Sequence, residues 1–213
     1  GKLMKKLITC LVTIALCLFP STTSSQAQDN WVGSWSTSPV EFSIQKFFGN
    51  RFKDFGLHHL TFRTVIKPTL TGGTVRLTFS NTYGTGPMTI DAVTIAKTIS
   101  KQRIKVHTKK NVTFNGCKKV TLRKGETIHS YPLKYHVDAL ESVTVSMYMK
   151  NTEQLKTFGL IGGTTYISSG NQVNLPATTG VPMVLNGSFG EYDVIPLFTG
   201  LDVDRPVHHP LSL

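Results

Sequence analysis

The sequence predicts an all-β protein, an antiparallel β-sandwich of jelly-roll type, and three observations carry that prediction. Apolar and polar residues alternate with period two over many short stretches. Gly, Pro and Asn clusters interrupt those stretches at short intervals, as turns do. Beyond the first 27 residues, no window of ten or more residues has clear helical spacing. Many short strands with no helical crossovers are the signature of an antiparallel sandwich.

The stretch WVGSWSTSP, residues 31–39, reads as an opening strand, with Ser34, Ser36 and Ser38 as surface or inter-strand hydroxyls. Over residues 43–54, Ile44, Phe47 and Phe48 suggest one or two helical turns. Residues 60–66 place Leu60, Phe62 and Ile66 on one face and Thr61, Arg63 and Val65 on the other, a half-buried strand. Residues 75–79 do the same with Val75, Leu77 and Phe79. Between these two, Pro68 and Gly72-Gly73 predict a hairpin, because glycine reaches positive φ without steric cost. Asn81-Thr82-Tyr83-Gly84 and Gly86-Pro87 supply the next turn. A third strand over residues 88–96 brings Ile90 and Ala92 to the core. Shorter strands are expected over residues 111–114, 118–122, 127–131, 164–167, 183–185 and 192–203. Residues 143–149 carry the clearest stripe, Val143, Val145, Met147 and Met149.

Composition agrees with one compact domain: 213 residues, 39% hydrophobic and 16% charged, suffice for a core. Residues 1–27 read as a secretory signal peptide. A short leader precedes Met4, Lys2, Lys5 and Lys6 flank an apolar run over 7–19, and small residues end at Ser25-Gln26-Ala27. The run is too short for a comfortable membrane span, so no stable span is expected after signal cleavage. The expected destination is secreted or periplasmic, in a bacterium. Cleavage after Ala27 and lipid attachment at Cys17 are the two processing routes, and the bulk of Leu16 disfavours the second. Cys10 and Cys17 belong to the signal, which leaves Cys117 alone in the mature chain and predicts no internal disulfide.

Net charge is +11, and removing the signal leaves 20 basic and 12 acidic residues, a net of +8. Such a surface attracts anionic polymers. Between Lys101 and Lys124 the charges follow strands and turns without the interleaved aromatics of a single-strand binder, so no nucleic-acid partner is expected.

Three blocks resemble one protein family. WVGSWSTSP, the strand Val75-Arg76-Leu77-Thr78-Phe79-Ser80-Asn81 leading into Tyr83-Gly84-Thr85, and Phe198-Thr199-Gly200-Leu201-Asp202-Val203 are together similar to the leading β-domain of two-domain secreted SGNH (GDSL-type) esterases and lipases. The resemblance spans residues 31–203 and rests on structural motifs. It implies a β-sandwich over residues 28–203. In the family a catalytic domain follows, opening on a Gly-Asp-Ser block and working on carboxylic esters, acyl esters on carbohydrate first among them. Here residues 204–213, Asp204-Arg205-Pro206-Val207-His208-His209-Pro210-Leu211-Ser212-Leu213, contain no such block. They read as a tail, the truncated or frameshifted start of a linker. The expected partner is therefore the missing C-terminal catalytic domain.

An activated serine needs a base and preorganised oxyanion donors. None of the family's blocks stands in order here, so no catalytic residue and no cofactor is assigned, and the chain alone is not expected to hydrolyse esters. Gly170-Asn171 looks like an oxyanion pair but fits a turn. His58-His59, His107, His129 and His136 lack a ligand spacing. Asp202, Asp204, His208 and His209 form the one local set able to hold a divalent ion, although Asp202 belongs to the resembling strand and the histidines to the tail. Finally, Trp31, Trp35, Phe42, Phe47, Phe48, Phe52 and Phe55 crowd the N-terminal stretch. Trp31 and Trp35 are either a plug closing the sandwich or an aromatic ligand surface for polysaccharide. The second option defines the alternative function, a free-standing carbohydrate-binding module.

Overall fold

The alternating stretches fold as strands, and a computed structural model describes residues 30–46 and 56–205. In chain order these are β1 (Trp31–Ser36), β2 (Pro39–Glu41), β3 (His58–Ile66), β4 (Gly72–Ser80), β5 (Met88–Ile90), β6 (Ala92–Ser100), β7 (Arg103–Ile104), β8 (Lys110–Val112) and β9 (Val120–Leu122). There follow β10 (Thr127–His129), β11 (Leu133–Val137), β12 (Val143–Asn151), β13 (Thr157–Leu160), β14 (Gly163–Ser169), β15 (Val181–Pro182), β16 (Val184–Gly187), β17 (Gly190–Pro196) and β18 (Phe198–Asp204). Of the helical expectation over residues 43–54, the described part is one 3-10 turn, Ile44–Lys46, and residues 47–54 lie outside the described residues. Phe47, Phe48, Phe52 and Phe55 lie outside the described residues, as do the signal segment and the tail from Pro206.

Two sheets face each other. One runs β1-β18-β4, with β10 and β11 both on the far edge of β4; the other runs β15-β14-β3-β12-β6, with β7 and β8 on the far edge of β6. Every pairing between named strands is antiparallel. A smaller sheet, β16-β17-β13-β2, and the pair β5-β9 complete the fold. The protein is thus an all-β antiparallel sandwich, as the alternation predicts. Its core joins Val75, Leu77, Phe79, Leu201 and Val203 of the first sheet to Leu60, Phe62, Ile66, Val145, Met147 and Ile95 of the second, all nearly inaccessible. Burial of so many aliphatic and aromatic side chains is the main stabilising term.

Three local expectations are corrected. The turn between β3 and β4 is no hairpin, because those strands belong to different sheets. Pro68 has no N–H to donate, and the Thr69 N–H donates to the Ser34 carbonyl (2.7 Å), so the segment crosses between layers. The strand expected over residues 192–203 breaks at Leu197, whose φ of +54° ends β17 and starts β18 in another sheet. The strand expected over residues 88–96 breaks at Asp91, whose carboxylate accepts the Lys150 N–H (2.8 Å). Cys117 sits in a tight turn where Phe114 and Cys117 exchange backbone hydrogen bonds of 2.7 and 3.1 Å.

Candidate functional site

The opening strand decides which tryptophan meets solvent. In β1, Gly33 pairs with Asp202 and Trp35 with Leu201, so Ser34 is an extra residue in a β-bulge. Without it, residues 31, 33 and 35 would share a face. With it, Trp31 and Gly33 face outward and Trp35 turns into the core. The Ser34 hydroxyl holds the bulge, donating to the Leu70 carbonyl (2.8 Å) and accepting the Leu70 N–H (3.0 Å). Trp35 is 8% exposed, stacks on Phe198 with centroids 4.7 Å apart, and donates its indole N–H to the Gly162 carbonyl (2.7 Å). Trp35 is therefore the plug, and the two tryptophans do not form one surface.

Trp31 heads a row on the outer face of the β1-β18-β4 sheet. The Arg76 guanidinium lies over its ring, 4.9 Å from the centroid, and Arg76 Nε donates to Asp202 Oδ2 (2.9 Å). Arg76 and Asp202 side chains are each about one-fifth exposed. Farther along the same face, Thr78 Oγ1 meets His129 Nδ1 at 2.9 Å. This half-exposed row, Trp31, Arg76, Asp202, Thr78 and His129, is the candidate site on the described surface.

Of the four metal candidates, the two aspartates are described. Asp202 is committed to Arg76, Asp204 is exposed at the end of β18, and His208 and His209 lie outside the described residues. Among the described residues no group of three or more His, Cys, Asp or Glu side chains is placed to hold a metal ion. Of the serines, Ser34 is a buried structural hydroxyl, and Ser36 and Ser38 are exposed. Gly170, at φ +81°, makes the expected turn, and Asn171 Oδ1 accepts the Val173 N–H (3.4 Å). Among the described residues no helix is long and apolar enough to cross a membrane.

Two further polar centres were not visible in the sequence. Arg63, fully buried on the polar side of β3, donates to Ser146 Oγ (2.9 Å) and to the carbonyls of Gln102 (2.8 Å), Gln172 (3.2 Å), Val173 (3.3 Å) and Leu175 (2.8 Å). Burial pulls its guanidinium down to about 10. It pins residues 170–180 as a strap across the outer face of the second sheet. Thr61 accepts the Gln172 N–H there (2.9 Å), and Thr94 donates to the Val173 carbonyl (3.2 Å). The second centre is Asn81, fully buried, which donates its amide to the Gly86 and Arg123 carbonyls, both at 3.0 Å. A Cβ on Gly84 would land on the Asn81 carboxamide, so the Asn-Thr-Tyr-Gly turn requires glycine there. The turn is a knot tying two loops together, and none of its groups is presented as a catalyst.

No protein-family model matches the chain. No curated protein matches it either.

Proposed function

We propose that this chain is the non-catalytic accessory β-sandwich of a secreted SGNH-type carboxylic ester hydrolase, whose Ser-His-Asp chemistry lies in a further domain. One observation carries the reading. The three blocks that resemble the family, more than a hundred residues apart at the extremes, lie in three neighbouring hydrogen-bonded strands, β1, β18 and β4. They interlock through Trp31, Arg76 and Asp202 as one structural unit. The signature is thus a packing signature, which suits a domain that shapes or presents a neighbour's substrate site. Acyl esters on carbohydrate are the first substrate class to try.

The test has two arms. The chain alone is expected to hydrolyse p-nitrophenyl acetate no faster than a heat-unfolded control and to resist a fluorophosphonate serine probe. Coding sequence read beyond Leu213 is expected to run into a Gly-Asp-Ser block whose product takes the probe. Saturable turnover by the chain alone would overturn the non-catalytic assignment. A reading frame that closes without that block would overturn the accessory role.

The half-exposed flank of Trp31 favours a second reading, a free-standing polysaccharide-binding module. Trp31→Ala would then abolish retention on the polysaccharide, whereas an accessory domain would show no such retention to lose.

A further inference from the structure

At the edge of the first sheet opposite β1, the sandwich closes without a backbone ladder. The free edge of β11 faces β8 and β6 of the second sheet across a cleft of about 500 Å³, lined by Lys97, Thr108, Lys110, Lys134, Tyr135 and His136. Two ammonium groups bridge it. Lys110 Nζ donates to the Lys134 carbonyl (3.0 Å), and Lys97 Nζ donates to the His136 carbonyl. Lysine side chains are one way of blunting an edge strand.

These staples also arrange charge. The two accepting carbonyls, of Lys134 and His136, belong to β11, whose register against β4 shifts between Lys134 and Val137. The ammonium groups that meet them line one cleft, each with two N–H donors left over. Lys134, exposed on β11, also lines the cleft. Those spare donors suit charge-assisted hydrogen bonds of about 2.8 Å to the oxygens of a carboxylate or phosphate. Acidic neighbours are few. Asp138 accepts from His136 Nε2 (2.8 Å), and Asp138 and Glu141 act on Lys97 from a distance, with Lys105 opposing them. The Tyr135 ring is covered by the Lys97 ammonium, 5.0 Å from its centroid, so it gives no platform on which a nucleobase could stack.

We propose that this seam binds an oxyanion carried on an anionic glycan, either the carboxylate of a uronic acid or the phosphate of a phosphorylated glycopolymer. The cleft follows a strand edge, which lets a linear chain lie along it with successive charges near Lys97, Lys110 and Lys134. The inference does not rest on the accessory-domain reading, since the seam lies across the sheet from Trp31.

The test is affinity electrophoresis of the full chain through gels holding polygalacturonate, its methyl-esterified counterpart, or a teichoic acid. Retardation by one or both anionic polymers, and not by the esterified one, is expected, and the polymer that retards identifies the oxyanion. Lys110→Gln/Lys134→Gln is expected to weaken retention about tenfold or more, the loss of roughly one charge-assisted hydrogen bond. Lys118→Gln/Lys119→Gln removes the same charge from exposed positions outside the seam and is expected to change retention less than about twofold, since screened surface charge acts only weakly at a distance. Equal losses in both double variants would reduce the effect to net charge and overturn the proposal. Retention by the esterified polymer as strong as by the acid, or no retention by any, would overturn it too. Should loss of the Lys110 staple unfold the protein, Lys134→Glu alone, at an exposed position, must still reduce retention.

Discussion

At the scale of single residues, Arg63 shows how a charge can be buried without a carboxylate. Five acceptors, four of them main-chain carbonyls, stand in for the water it loses. Removing it strands those carbonyls under the strap, and each buried unpaired polar group is costly. Arg63→Met is expected to lower unfolding free energy by roughly 3 kcal/mol in urea titrations and to open residues 170–180 to proteolysis. A loss under about 1 kcal/mol would mean that the strap holds without its pin. The tryptophans give a matched contrast. Trp35→Ala should cost about 3–5 kcal/mol as a core truncation. Trp31→Ala should cost about 1 kcal/mol, the worth of a surface cation–π contact. Similar costs for the two would contradict the inward and outward facing set by the bulge. None of this is legible beforehand: Arg63 and the outward residues of β3 look alike in sequence, and the bulge at Ser34 leaves no signal in composition.

At the scale of elements, alternation identified β3, β4 and β12, because each has one face of aliphatic and aromatic residues that must leave water. It misjudged their other face. Thr144 and Ser146 of β12 are as buried as Val145, since hydroxyls satisfied by Thr98 Oγ1 and Arg63 can be covered by neighbouring loops at little cost. Strands without an apolar stripe, β2, β11 and β15 among them, were not identified, because pairing with a neighbour defines them more than their own sequence does. The turn after β4 makes a sharp test. Gly84→Ala forces a methyl against the Asn81 side chain and should cost about 1–3 kcal/mol by thermal or chemical unfolding. A neutral result would show that the Asn81 knot has slack. The hairpin β16-β17 carries a pH-dependent element. Burial, together with the charge of Glu191, raises the Asp193 carboxyl above its ordinary range. The folded state then binds that proton more tightly than the unfolded chain. The group therefore penalises the fold at neutral pH, and stability recovers as pH falls through the raised value. Asp193→Asn should raise Tm at neutral pH and lose that advantage in acid below the ordinary carboxylate range. A gain of the same size at both pH values would rule out titration as its cause.

At the scale of the whole molecule, the fold hangs on pairing between the two ends of the described chain. The last strand, β18, lies between β1 and β4, with Trp31 opposite Asp204 and Leu201 opposite Leu77. A chain ending after Leu197 would expose both neighbours and lose Phe198, Leu201 and Val203 from the core. It should show no cooperative thermal transition, and a sharp one would mean that the second sheet folds by itself. By itself the sequence determined the class: period-two alternation broken by glycine and proline admits strands and turns and excludes helices, because each strand must hide one face. It also located the blocks that resemble a hydrolase's leading domain. Which blocks touch, which tryptophan is buried, and where an arginine and the edge lysines find their carbonyls were settled only by the tertiary structure. Those contacts join residues tens to more than a hundred positions apart, and a bulge of one residue suffices to turn a side chain from solvent to core.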